Sequence, residues 1–278
     1  FKQKTAYEIM PSLVGSEMCI RDRGGTGMIG KRVEALVPSD FEDSLTLLQK
    51  YASDCALLAG GTDLVVLLKA GFRKHVKYLL DIGSIPELQR LETRASRFHL
   101  GATLTHSMLA TSQVLEGIAC LRIAAASIGS PQIRNMGTLG GNLANASPAA
   151  DLYPPLIVLG ATATLESAHG RRNVPVEDLP KGPGSTVIEP IEMLTGVTFD
   201  LPSMPFYSGY IKVGLRNSLA ISVASAALLA TFSDGRFEEV KVACGAVAPT
   251  PIRMKQVEAL LAGKRPSDEL TREAGSVA

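Results

Sequence analysis

Residues 132–151 read QIRNMGTLGGNLANASPAAD. Gly137, Gly140 and Gly141 crowd into this stretch with Thr138 and Asn142 beside them. Each glycine loses more backbone freedom on folding than any other residue and adds no side chain to a core. Packing explains such a run poorly, and a ligand explains it better. Neutral N–H and hydroxyl donors hold a diphosphate without needing a lysine. Ser147 reads as the cap and Pro148 as the first residue of a following helix, which puts Asp151 in its first turn. There Asp151 either accepts bonds from ribose hydroxyls or merely complements the helix dipole.

A second glycine turn lies upstream. CALLAG (55–60) is a buried strand, Gly60-Gly61-Thr62-Asp63 turns the chain, and a short apolar helix runs through Lys69 to end at Gly71. YLLDI (78–82) is the next strand, so the segment is a compact βαβ unit. Ahead of it, DFEDSLTLLQKYA (40–52) places Phe41, Leu45 and Leu48 on one helical face, capped by Ser39 or Asp40. Glycine lets a backbone approach a phosphate closely, and the start of a helix offers free N–H donors. A Gly-Gly turn with a Thr cap also joins strands to helices with no ligand at all, and this turn alone does not decide between the two. Two such turns, neither a phosphate-binding P-loop nor a dinucleotide fingerprint, suggest a diphosphate gripped from both sides.

Between and beyond these turns the pattern alternates. RFHLGATL (97–104) is a strand running into a helix capped by Thr105, and a longer helix covers Leu115 to Ile128. His106 at that capped start reads as a surface or capping residue. ATATLES (161–167) and NVPV (173–176) form a hairpin. From residue 203 onward SGYIKVGL, ISVASAALLATF and EEVKVACGAV are strands, Asp234-Gly235 is a hairpin turn, and QVEALLAG is a helix. This is a smaller α+β domain.

The whole chain excludes several functions. Lys and Arg total 28 against 27 Asp and Glu, so no basic field attracts nucleic acid. No run reaches the roughly 20 apolar residues that span a bilayer, and a cytoplasmic protein is expected. The four cysteines, Cys19, Cys55, Cys120 and Cys244, form no CxxC pair, and the last three sit in apolar runs as buried thiols. No metal ligand set is expected. Residues 1–27 read as non-native sequence: the first 23 have no periodicity and resemble translated adapter read-through, with Met28 as the start. Gly25, Gly27 and Gly30 satisfy GxGxxG, but Arg21, Asp22 and Arg23 stand where that motif needs a hydrophobic strand, so it is a coincidence.

LLAGGTDLVVLLKAG, GSPQIRNMGTLGGNLANASPAADLYPPLIVLGA, GYIKVGLRNSLAIS and GAVAPTPIR, in that order, closely resemble the medium, FAD-binding subunit of the xanthine dehydrogenase and carbon monoxide dehydrogenase family. The resemblance runs from about Lys31 to the end of the chain. It implies an α+β chain: two α/β-type FAD-binding subdomains of the vanillyl-alcohol-oxidase or PCMH type, at 28–85 and 86–202, and a C-terminal α+β domain at 203–278. It also implies a pyrophosphate loop of Leu58, Ala59, Gly60, Gly61, Thr62, Asp63 and Leu64, and a second loop of Thr138, Gly140, Gly141 and Asn142. Asp151 would lie near the adenosine part. Ile128 and Gly129 would pack near the flavin, Leu194 would make an apolar contact, and Lys212 would reach the cofactor. Leu194 as a core leucine and Lys212 as a solvated strand lysine are the plainer alternatives.

The resemblance further implies partners. A large subunit would carry a molybdenum cofactor and hydroxylate the substrate with water, and a small one would carry two 2Fe–2S clusters. FAD on this chain would pass electrons to NAD or another acceptor, so none of these residues is expected to be catalytic as an acid or base. AGGTD and RNSLAIS look closer to the purine and xanthine enzymes. Two departures stand out: Asn217, Ser218 and Leu219 follow Arg216 where members often carry an acid, and the chain stops at Ala278, short of a final helical stretch the family usually has. The rival readings are a self-contained FAD-dependent oxidase or dehydrogenase and a flavin-free assembly subunit. Neither glycine loop holds a His or Cys for a covalent flavin link.

Overall fold

The computed structural model describes residues 33–216 and 219–278. The expectations for residues 1–27, including the GxGxxG coincidence and Cys19, and those for Asn217 and Ser218, lie outside the described residues.

The first unit is β1 (Glu34–Leu36), α1 (Phe41–Tyr51), β2 (Cys55–Leu58), α2 (Leu64–Lys69) and β3 (Tyr78–Asp81), with a parallel sheet ordered β1-β3-β2. Asp40 caps α1: its Oδ1 accepts from the Asp43 N–H at 2.8 Å, and the Asp43 carboxylate accepts the Ser39 N–H at 2.8 Å. Leu45 and Leu48 bury the apolar face of α1 against Leu80 and Ile82.

The second unit adds β4 (Leu91–Arg94), β5 (Arg97–Gly101), α3 (His106–Thr111), α4 (Ala119–Ser127), α5 (Pro131–Met136), α6 (Leu139–Asn145), α7 (Tyr153–Val158), β6 (Thr162–Ser167), β7 (Gly170–Pro175), the small β8 (Pro180–Gly182) and β9 (Ser185–Thr186) hairpin, and β10 (Met193–Asp200). Its main sheet is ordered β4-β5-β10-β6-β7, and every pairing in it is antiparallel. Leu109, Leu121, Leu139, Leu143 and Leu156 from the helices meet Leu100, Leu165 and Val197 from the strands in one buried core.

Three helical expectations change here. The long helix shortens to α4, because Gly117 and the turn before it precede the helical residues. The glycine-rich stretch is itself helical, as α5 capped by Ser130 and α6 capped by Thr138. No helix begins at Pro148: the Ser147 hydroxyl accepts the Ala149 N–H at 3.3 Å in a turn, and the next helix starts at Tyr153. Pro154 and Pro155 dictate this, since residues without an N–H fit a first turn but break a helix interior. Asp151 therefore precedes α7 rather than sitting in its first turn.

The third unit is β11 (Phe206–Gly214), β12 (Ser222–Ser233), β13 (Arg236–Gly245), β14 (Ile252–Arg253), α8 (Lys255–Leu261) and α9 (Asp268–Val277), with an antiparallel sheet in sequence order. Asp234 and Gly235 both have positive φ, 49° and 72°, the twist a tight hairpin needs. One face of this sheet sends Tyr210, Ala227, Leu229 and Ala243 into the core of the second unit. The other face packs Ala230 and Val240 under Val257, Leu261 and Leu270 of α8 and α9. Cys120 is buried, and its thiol is pushed up to about 11 chiefly by that burial; Cys55 and Cys244 are only half-buried.

Candidate functional site

The turn after β2 is built to receive an anion. Gly61 has φ +68°, and the Gly61 carbonyl accepts the Val65 N–H at 3.1 Å as α2 begins. None of the N–H groups of Gly60, Gly61, Thr62, Asp63 and Leu64 is paired with another backbone group among the described residues. Consecutive unpaired N–H groups in a turn with a left-handed residue make a concave donor surface for a phosphate-like group.

The second glycine stretch lies directly against this turn. A Cβ on Gly60 would overlap the Met136 carbonyl oxygen and reach 3.0 Å from the Gly137 Cα. Residues 102–106 hold the stretch from behind. The N–H of Leu139 donates to Leu104 O at 2.9 Å, that of Gly140 to Ala102 O at 2.7 Å, and that of His106 to Gly137 O at 3.0 Å.

This geometry revises the expected roles of the glycines. Gly140 has a packing reason, since a Cβ there would lie 2.7 Å from the Ala102 Cβ; so has Gly137, where it would lie 3.0 Å from the His106 ring. The backbone donors of the second stretch are also spent within the protein, for Gly141 N–H goes to the Thr138 hydroxyl at 3.1 Å and Asn142 N–H to Thr138 O at 2.9 Å. What remains for a ligand is the exposed backbone of Gly141, the proton of the Thr138 hydroxyl and the Asn142 amide, whose Oδ1 is buried with no partner.

Asp151 is occupied as well. Its Oδ1 accepts from the Tyr210 phenol and the Ser222 hydroxyl, both at 2.6 Å, and its Oδ2 accepts from the Lys212 ammonium at 2.7 Å. Protein donors thus take the positions expected for ribose hydroxyls. Burial, and then the Asp151 carboxylate, hold the Tyr210 phenol protonated well above its ordinary range, so it donates. Lys212 is no solvated strand lysine: its side chain is 11% exposed, and it also donates to Ser127 O at 3.2 Å. An ammonium has three protons, which leaves one donor for a ligand. Tyr210 and Ser222 were not expected at the site. Tyr210 could have been found, because it stands two residues before Lys212 on β11 and therefore shares its face.

Lys212 also borders a cavity of about 750 Å³ between the corner joining α4 to α5 and the β11–β12 hairpin, lined by Gly129 and Arg134 from the corner and by Arg216 from the hairpin. Gly129 (φ +46°) makes that corner, and the Arg134 guanidinium ties it down by donating to Ile128 O at 2.9 Å. Ile128 itself is mostly buried, and Leu194 belongs to the core of the second unit, next to a bulge in β10. Neither Ile128 nor Leu194 is among the residues that line the cavity.

His106 is buried rather than a surface residue, and its Nδ1 has no partner. Burial, opposed by Asp151 and aided by Arg134, lowers its pKa to about 4. The folded protein then holds His106 neutral at a pH where the unfolded chain, near the ordinary histidine value of 6.5, already binds a proton. Its contribution is whole above pH 6.5 and is lost as pH falls toward 4, a loss of about 3 kcal/mol. The stability difference between the parent and His106→Gln, followed by urea unfolding from pH 7 to pH 4, should shrink along that limb; a pH-independent difference would contradict it.

Residues 31–202 match the FAD binding domain in molybdopterin dehydrogenase, and residues 209–278 match the CO dehydrogenase flavoprotein C-terminal domain. The chain belongs to the FAD-binding subunits of the molybdopterin dehydrogenases. It is 33% identical to the nicotinate dehydrogenase FAD-subunit of Eubacterium barkeri over 84% of this chain and 80% of that one. It is 32% identical to the xanthine dehydrogenase FAD-binding subunit of Escherichia coli O157:H7 over 73% and 70%. The solved carbon monoxide dehydrogenase of Hydrogenophaga pseudoflava superposes with a TM-score of 0.84 at 31% identity, over 90% of this chain and 87% of that one. This FAD-binding chain is accordingly an oxidoreductase subunit, and the residues present fit the cofactor: unpaired donors at 60–64, an exposed glycine at 141 and an orphaned buried oxygen at Asn142. Among the described residues no helix is long and apolar enough to cross a membrane.

Proposed function

We propose that this chain is the electron-transfer subunit of a molybdenum hydroxylase, taking electrons from the 2Fe–2S clusters of a small partner subunit. A large partner would carry the molybdenum cofactor and the substrate, and NAD or another acceptor would take the electrons away. The observation that carries the reading is the contact between the two glycine turns, with unpaired N–H groups at 60–64 facing no backbone acceptor. Bound FAD would supply redox chemistry, accepting electrons singly and releasing two together. The protein's part is to bind and position. Leu58, Ala59, Gly60, Gly61, Thr62, Asp63 and Leu64 would hold the diphosphate, with Thr138, Gly140, Gly141 and Asn142 across from them. Gly129 and Lys212 would border the flavin, backed by Ile128 and Leu194, and Asp151 would act by holding Lys212 in place.

The three units at 28–85, 86–202 and 203–278 are part of this proposal, supported by the three main sheets, one to each unit. A purine or xanthine substrate is favoured by AGGTD and RNSLAIS. Relatives named for nicotinate, xanthine and carbon monoxide lie between 30% and 33% identity. A cytoplasmic setting agrees with Cys55, Cys120 and Cys244, which are free thiols.

The visible spectrum of the purified chain tests the function. Flavin bands, or their appearance on adding FAD, are expected. Gly141→Leu should lose the flavin while keeping the parent's far-ultraviolet circular dichroism, because its Cβ meets only the Thr138 hydroxyl. A parent that takes up no FAD would point to an assembly subunit. Reduction by a small organic substrate without partners would point to a self-contained dehydrogenase.

A further inference from the structure

His106 is buried behind the second glycine stretch, and flavin binding leaves its imidazole unused. The ring lies against the bare side of Gly137, where a Cβ would come within 3.0 Å of Cδ2 and 3.1 Å of Nε2. Gly137 in turn stands against Gly60, at the close approach that joins the two turns. The backbone follows the same line: the His106 N–H donates to Gly137 O at 3.0 Å, and Thr105 pairs with Thr138 in an antiparallel bridge. The imidazole therefore backs the segment that meets the diphosphate turn. Its Nδ1 has no partner, and the ring makes no ion pair among the described residues. The helices packed against α3 bring Arg122 and Arg134, and the segment before α7 brings Asp151. Arg122 turns to the far end of α3, donating to Ala110 O at 3.0 Å, while Asp151 already accepts from Tyr210, Ser222 and Lys212.

We propose that His106 is a positioning residue for the flavin: neutral, it keeps the second glycine stretch seated against the first turn, and protonated, it lets the two part and the flavin leave. The inference rests on the flavin reading, which sets the diphosphate between those turns. A buried charge without a partner is costly, and both nitrogens of a protonated ring are donors in need of acceptors. The ring escapes that cost by leaving its seat, and residues 137–138 then lose their backing. Out of the seat it binds a proton near the ordinary value of 6.5, against about 4 within it. Proton linkage between those two values multiplies the open population about twentyfold from pH 7 to pH 5.

The test uses the full chain loaded with FAD, with release after dilution followed by flavin fluorescence. The release rate of the parent should rise about twentyfold from pH 7 to pH 5, with its far-ultraviolet circular dichroism unchanged. His106→Gln and His106→Leu, which keep His75, His99 and His169, should release flavin at one rate throughout. Hydrogen exchange supplies a readout that needs no variant. The amides of Leu139 and Gly140, which donate to Leu104 O and Ala102 O, should lose about twentyfold protection over the same range, while the β12 amides stay more protected. A yellow parent whose release ignores pH, or variants that keep the slope of the parent, overturns the positioning role alone. So does release that coincides with loss of circular dichroism, since unfolding of the whole chain then frees the flavin. Should both variants lose their flavin at pH 7, the amides decide, and protection that does not change with pH overturns the role. A colourless parent that takes up no FAD overturns the flavin reading and this inference with it.

Discussion

Gly60→Ala should lower stability by about 2–3 kcal/mol and yield a protein that retains no flavin. Glycine is required here by close approach, since the added methyl would overlap the Met136 carbonyl oxygen and lie 2.6 Å from the carbonyl carbon. Backbone cannot swing aside as the end of a flexible side chain can. The two turns must separate, and the donors at 60–64 move away from Gly141 and Asn142. With no tryptophan in the chain, far-ultraviolet circular dichroism in urea is the suitable stability measurement, paired with absorbance of bound flavin. Gly141→Leu is the counterpart: flavin lost, stability kept. If Gly60→Ala stays yellow with the stability of the parent, the turns do not meet as described.

Asp151→Ala should destabilise the protein by about 3–5 kcal/mol, the range for removing one partner of a buried ion pair. The Asp151 and Lys212 side chains are 7% and 11% exposed, and Tyr210 and Ser222 would lose their acceptor along with Lys212. The network joins the segment before α7 to β11 and β12, so its loss loosens the third unit from the second. Adding Lys212→Met should recover much of the loss, because the uncompensated charge leaves with the lysine. A double variant no more stable than Asp151→Ala would mean that the hydroxyl bonds, and not the ion pair, carry the energy.

Much of the fold was legible where local chemistry decides it. Asp40 ahead of an apolar-periodic run, the βαβ order around Gly60-Gly61 and the Asp234-Gly235 hairpin each follow from a few neighbouring residues. The helices hidden in the glycine-rich stretch were not legible. Glycine disfavours helix intrinsically, and α6 forms because Thr138 caps it and residues 102–104 bond its first turn from outside. The polar helix α9 buries only Leu270, and what marks it in the sequence is Ser267 as its cap with Asp268 and Glu269 in its first turn.

The site divides along the same line. The two glycine turns and Lys212 could be named from sequence, because residue type and spacing limit what such segments can hold. Their roles could not. Whether a glycine serves a ligand or a neighbouring backbone depends on what stands opposite its missing Cβ, and for Gly140 that is Ala102, a residue far away in the chain. Whether Asp151 faces a ribose or a lysine depends on strands that arrive only when the third sheet docks. Sequence alone determined the family, the order of elements and the donor-rich turns, all properties of neighbouring residues. Only the tertiary structure decided which donors stay free and which carboxylate is already paired, because hydrogen bonds between distant segments exist only once the chain has folded.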